Sequence, residues 1–401
     1  MVGIARSPHL RNPGLNYPSG FAGRVPDSAK VIARSYDLIP ARGLPVGGAE
    51  AEAGVMIDRF THHIGPNWFA SVMGTGIVAN AAAGLPGAPG WLRPVAAVVW
   101  AAAAVWLLVL SVAFAAQWLS GRAGRHHADP VAVQFYGAPP MALLTVGAGA
   151  LTFTGNVPVA FGLWLAGTVA GLVSAVAVPY LMFTRPALSG AAPFAGWLMP
   201  LVPPMVSAAT GAALIPHVPD GQPRLTMLLA CYAMFGLSLM ATLVLLPQIW
   251  GRLAAHKLTA PVPTLWIVLG PLGQSATAAG NLGGVSGHPG LAALGTGYGV
   301  LVMGFALLWL ALALAVTLRS LREGLPFTLT WWSFTFPVGT CVTGASVLSA
   351  HTGAVVYGWL AWALYAGLLG AWAVTAARTA HGLVTGALTP ATAAVPSASH
   401  R

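Results

Sequence analysis

Acidic side chains are nearly missing from this sequence: eight Asp and Glu among 401 residues, with charged residues of both signs at 6%. A soluble domain carries about 25%, so a water-facing surface of ordinary size is excluded. All eight acids (Asp27, Asp37, Glu50, Glu52, Asp58, Asp129, Asp220 and Glu323) fall outside the long apolar runs, and no Lys or Arg sits mid-run. Charges at membrane depth serve proton relays, cation sites and voltage sensors. The chain lacks those groups, and a wall without acids disfavours a cation path. The loop acids Asp129, beside His127, and Glu323, beside Arg322, read as anchors of one membrane face. Cysteine is scarce too. Cys231 and Cys341 each lie inside an apolar run, which leaves no disulfide framework and no Cys-based metal site.

The eleven histidines occupy tails, loops or run ends, and the pairs His62–His63 and His126–His127 are adjacent. Metal-binding pairs on one helix face are spaced i, i+4, so neither haem nor metal is expected as a cofactor. Ser and Thr abound, but no carboxylate or His accompanies them inside the runs. A nucleophile, a base and an orienting group therefore do not assemble, and an enzyme is not expected.

What the chain does have is apolar length: 57% hydrophobic residues and a mean hydropathy of +0.75. Of the 18 Lys and Arg behind the net charge of +10, seven lie before Pro66 and the rest stand singly or in pairs between apolar runs. No basic stripe with interleaved aromatics occurs, so no nucleic-acid partner is expected. A membrane span needs about 20 apolar residues. Ten such runs occur, near 66–84, 92–120, 135–155, 158–183, 194–216, 225–250, 264–283, 291–318, 327–350 and 355–377. Lys and Arg set their orientation. Sixteen of the 18 lie in the tails and alternate loops, and only Arg93 and Arg224 lie in the opposite loops. Both termini are thus expected in the cytoplasm of a multi-pass protein of the inner or plasma membrane. Residues 1–60 read as a disordered cytoplasmic tail without a signal peptide, with Met56 a second candidate start. Residues 61–380 read as the membrane domain, and 381–401 as a second disordered cytoplasmic tail.

The runs alternate in texture. Even-numbered runs are smooth, whereas odd-numbered ones carry Gly, Ser, Thr, Asn and Pro. The prolines recur: Pro140, Pro204, Pro271 and Pro337 are 64, 67 and 66 residues apart. One step back lands on Gly74 in MGTG, where Gly74 and Gly76 replace proline as the flexible element. A period near 66 with one kinked and one smooth span per repeat predicts five helical hairpins in a ring around a central pore. Irregular backbone at membrane depth is tolerated where it is protein-buried or lines a cavity. The competing reading is that the small residues serve tight helix packing. On the pore reading, Thr75, Gln274, Ser275, Thr340 and Thr343 offer polar donors to an anion or neutral solute. In TLTWWSFTFPVGT (328–340), Pro337 is expected to free the Ser333 carbonyl with Thr335 compensating. Trp331 and Trp332 read as an aromatic belt at the membrane surface.

Four odd-run motifs, NWFASVMGTGI (67–77), FYGAPPM (135–141), GPLGQSA (270–276) and WWSFTFPVGT (331–340), resemble the tellurite-resistance/dicarboxylate transporter family. That family includes fungal malate permeases, sulfite efflux pumps and the slow-type anion channels of guard cells. The resemblance covers about residues 60–380. It implies an all-α protein of ten transmembrane helices in five hairpins, usually a homotrimer, passing small anions such as malate-like dicarboxylates, sulfite or inorganic anions. A phenylalanine of the ninth helix closes the pore in this family. Carried onto WWSFTFP, that role falls to Phe336. Phe334, about 200° away around an ideal helix, cannot share its face. No charged residue stands ready for a second carboxylate, which weakens a dedicated dicarboxylate carrier. A proton-coupled malate carrier is the alternative of a different class.

Overall fold

The structure is a computed structural model that describes residues 64–120, 129–186, 188, 192–255 and 261–388. The expectations for the N-terminal tail, Met56, His62–His63, His126–His127 and the chain after Leu388 lie outside the described residues. Ten α-helices and no strand occur among the described residues. Short and long helices alternate. The short ones are α1 (Phe69–Ala83), α3 (Ala138–Gly149), α5 (Pro203–Leu214), α7 (Leu269–Val285) and α9 (Phe336–Thr352). The long ones are α2 (Leu92–Leu119), α4 (Val157–Thr184), α6 (Gln222–Ala255), α8 (Pro289–Arg322) and α10 (Val355–Val384).

These positions match the ten apolar runs, but the odd runs are not simple helices. Each short helix is preceded by a 3-10 segment: Pro66–Trp68, Ala132–Gly137, Ala195–Leu201, Val262–Val268 and Leu329–Phe334. By length and hydropathy, five helices among the described residues can cross a membrane, or six if Ala195–Leu201 and Pro203–His217, bent by 46°, count as one span. The protein is a membrane protein built around several apolar helices.

The prolines are not mid-helix kinks. Pro140, Pro204, Pro271 and Pro337 lie in the first turn of α3, α5, α7 and α9. There the missing N–H has no intrahelical acceptor to satisfy, and the fixed φ suits a helix start. The break falls just before them, and at α9 it falls on Thr335 (φ −99°, ψ −75°). The Thr335 hydroxyl donates to the Trp332 carbonyl at 2.7 Å, while its own carbonyl accepts from the Gly339 N–H at 3.0 Å. In the first unit the counterpart of the proline is near Ser71, because α1 begins at Phe69 and runs unbroken through Gly74 and Gly76.

Burial is inverted relative to a soluble protein. Residues 269–280 of α7 are all buried, although they include Gly, Gln, Ser and Thr. The long helices expose Phe183, Leu301, Leu119 and Val176, as expected where the outer face meets lipid and small residues let helices approach. Each short helix packs on the long helix that follows it. The short helices touch in the order α1, α3, α5, α7, α9, and α9 also touches α1. Indole N–H groups of long helices brace the next short one. Trp100 donates to the Val146 carbonyl (2.9 Å), Trp164 to the Ser207 carbonyl (2.9 Å) and Trp372 to Thr75 Oγ1 (3.1 Å).

Two details stand at helix ends. Glu323, just past the end of α8, pairs with Arg319 one turn back at 3.0 Å. Helix α10 continues past residue 380 to Val384, and Gly386 (φ 70°) turns the chain so that the Leu388 N–H donates to the Gly382 carbonyl at 3.1 Å.

Glycine makes the α7–α9 approach possible: a Cβ on Gly273 would stand 2.6 Å from Thr340 Oγ1 and 2.5 Å from the Thr340 carbonyl carbon. Gly273→Ala is expected to cost roughly 1–3 kcal/mol, read as a lower thermal midpoint in detergent. Gly304→Ala on α8, where nothing lies within 4 Å, is expected to leave the midpoint unchanged or raise it.

Candidate functional site

Two cavities are each walled by all five short-helix units, one near the helix ends and one near the helix starts. The first has a volume of about 170 Å³ and a polar lining: Asn80 of α1, Thr210 of α5, Gln274, Thr277 and Asn281 of α7, and Thr343 of α9. Leu144 of α3 and Ile77 of α1 complete it. Among these, Thr277 and Thr343 share a 2.9 Å hydrogen bond across α7 and α9. The Asn80 amide donates to the Thr145 carbonyl at 2.9 Å, while its Oδ1 is buried with no partner among the described residues. No Lys, Arg, His, Asp or Glu lines this space. Its chemistry is that of neutral amide and hydroxyl dipoles.

The second cavity is small, about 10 Å³, and mostly apolar. Met73, Met141 and Val202 meet Trp332, Phe336 and Pro337 there. Phe336 is 2% exposed. Phe334 is absent from this wall and stacks edge-on against Trp266 and Trp331, with ring centroids 5.2 and 5.5 Å away.

The segment carrying Phe336 is gripped by α10. The Trp332 indole donates to Thr379 Oγ1 at 3.1 Å, and the Arg378 guanidinium lies 4.9 Å above the Trp331 ring, a cation–π contact. Both tryptophans are buried, at 5% and 3% exposure. This corrects the expected aromatic belt: they brace the 3-10 segment from inside the protein.

The residues singled out from sequence separate into two groups. Gln274 and Thr343 line the larger cavity, and Phe336 and Pro337 the smaller. The others lie off both walls. The Thr75 hydroxyl accepts from Trp372 of α10. A Cβ at Gly74 would collide with Thr335 Oγ1, and one at Gly76 would stand 2.8 Å from Thr145 Cγ2. Both glycines serve helix approach. The Ser275 hydroxyl donates to the Leu272 carbonyl at 2.9 Å. Thr340, fully buried, reaches the carbonyls of Pro337 (2.7 Å), Leu269 (3.2 Å) and Gly270 (3.3 Å), clasping α9 to α7. Pro140, Pro204 and Pro271 are buried helix starts.

Sequence reasoning missed Asn80, Thr210, Thr277 and Asn281. A signal was present: Thr145, Thr210, Thr277 and Thr343 are 65, 67 and 66 residues apart, the same period as the prolines. Three of the four line the larger cavity, and Thr145 turns into the contact with Gly76.

A wider groove of about 260 Å³ lies on the outer side between α6 and α8, walled by Trp250, Leu253, Trp309 and Leu312. It lacks the donors needed to hold a polar solute.

Comparison with known proteins agrees with the helical pattern. The family model described as voltage-dependent anion channel (SLAC1) matches residues 63–380. A sulfite efflux pump of Arthroderma otae is 29% identical over 318 residues, covering 73% of this chain and 83% of the relative. One of Trichophyton rubrum is 30% identical over 306 residues, covering 70% and 80%. An uncharacterized transporter of Methanocaldococcus jannaschii is 27% identical over 330 residues, covering 80% and 94%.

The two groups of polar residues predict different phenotypes. Thr340→Val is expected to lower thermal stability by about 1–3 kcal/mol, since it removes a fully buried hydrogen-bonding hydroxyl. Gln274→Leu is expected to leave the thermal midpoint close to wild type and to reduce anion flux into liposomes.

Proposed function

Because the chain belongs to the voltage-dependent anion channel family, we propose that its two cavities are parts of one axial path for small anions, closed by Phe336. The observation that carries this reading is that all five short-helix units contribute to both cavities. On this reading the protein has ten transmembrane helices in five hairpins around a pore. Their lengths support it. The short helices of 12 to 17 residues and their lead-ins of three to seven extend about 28–40 Å, against a hydrocarbon thickness of about 30 Å. The termini lie in the cytoplasm of a cell membrane by the distribution of Lys and Arg, residues 61–380 form the transport domain, and the assembly is a homotrimer.

The charge of the solute follows from the lining. Donor groups without cations stabilise a single negative charge, but nothing on the wall compensates a second. The desolvation cost rises with the square of the charge, so singly charged anions are favoured over malate-like dianions. The relatives named as sulfite efflux pumps support an inorganic oxyanion, which as hydrogensulfite carries one charge. A proton-coupled malate carrier would have to carry the proton on the acid itself or on a titratable group of the path, and neither cavity wall contains such a group.

Phe336 acts as a steric and dewetting plug, with Met73, Met141 and Val202 completing the apolar constriction. In planar bilayers Phe336→Ala is expected to raise anion current at least severalfold over wild type, and Phe334→Ala is not. Current from Phe336→Ala no larger than wild type removes the gate assignment. Flux of malate exceeding that of hydrogensulfite or nitrate removes the charge preference.

A further inference from the structure

We propose that Arg93 recruits small anions at the open end of the larger cavity. This deepens the reading of that cavity as part of an anion path and rests on it. The opening lies where lining residues become exposed, at Thr152 and Ala213. The exposed Arg93 sits at that rim, its Nη2 donating to the Thr152 carbonyl at 2.7 Å. One guanidinium nitrogen is thereby fixed while the remaining donors of the fork stay available. Among the described residues no carboxylate pairs with Arg93. Arg224, which shares its set of loops, is ion-paired with Asp220 and also held by the Val218 carbonyl at 2.8 Å.

Helix stability does not explain the placement. Arg93 is in the first turn of α2, where no acid accompanies it and where the positive end of the helix dipole repels a cation. The cavity interior offers neutral dipoles only. A fixed positive charge at its mouth raises the local concentration of anions, and the low-dielectric rim focuses its field. It attracts without trapping, because it stands outside the narrow part and leaves the wall uncharged.

The test is anion flux or current at two ionic strengths for wild type, Arg93→Gln and Arg93→Lys. At about 10 mM salt, where the screening length is about 30 Å, Arg93→Gln is expected to lower flux about three- to tenfold, with convergence at about 1 M. Arg93→Lys, which keeps the charge and loses the planar fork, is expected to stay within about twofold of wild type. Two outcomes overturn the proposal while leaving the anion path standing. One is Arg93→Gln matching wild type at low salt. The other is Gln and Lys variants falling equally at every ionic strength, which marks a structural tether to Thr152. Wild type and Phe336→Ala both passing no anion under any condition overturns the path and the role of Arg93 together.

Discussion

Hydrocarbon offers no partner for an unpaired backbone N–H or C=O, and the organisation of this protein follows from that constraint. Five times among the described residues the chain passes from a 3-10 segment into an α-helix, and each passage is irregular backbone that cannot face lipid. The long helices screen these passages, and the short helices carrying them are buried almost all round. Proline is placed where a helix start needs no donor. Hydroxyls near the breaks take up carbonyls locally, as Thr335 and Thr340 do. Indole donors of the long helices fasten the rest.

Close approach is the second consequence. With lipid as apolar as leucine, helices gain little by hiding apolar side chains from it, so contact rests on small residues and interhelical hydrogen bonds. Gly74, Gly76 and Gly273 bring α1, α3, α7 and α9 together with no room for a Cβ. The larger cavity is lined by amides and hydroxyls and the smaller by Met, Val and Phe. On the proposed function, a wall of dipoles without fixed charge stabilises an anion weakly, which suits passage more than retention.

Much of this was legible from residues alone. The ten apolar runs, the alternation of texture and the period near 66 correspond to helices found at those positions. What the period could not reveal is phase. It identified Pro140, Pro204, Pro271 and Pro337 as equivalent but not that each opens a helix. Counting back by the same step reached Gly74, five residues inside α1. Nor could it tell which polar residue faces inward. Thr340 and Thr343 are three apart on α9, yet one clasps α7 and the other lines the cavity. Trp331 and Trp332 stand near a run's end, as belt residues do, and the packing of α10, Phe334 and α1 against them buries them. The second periodic signal, the threonines from Thr145 to Thr343, lay in the sequence at the spacing already found for proline.

On the proposed function, an uncharged, donor-lined axial path selects anions over cations. The reversal potential of Phe336→Ala in a planar bilayer with unequal potassium nitrate on the two sides tests this most directly. Reversal close to the nitrate equilibrium potential is expected. Reversal close to the potassium potential, or at zero, would contradict it.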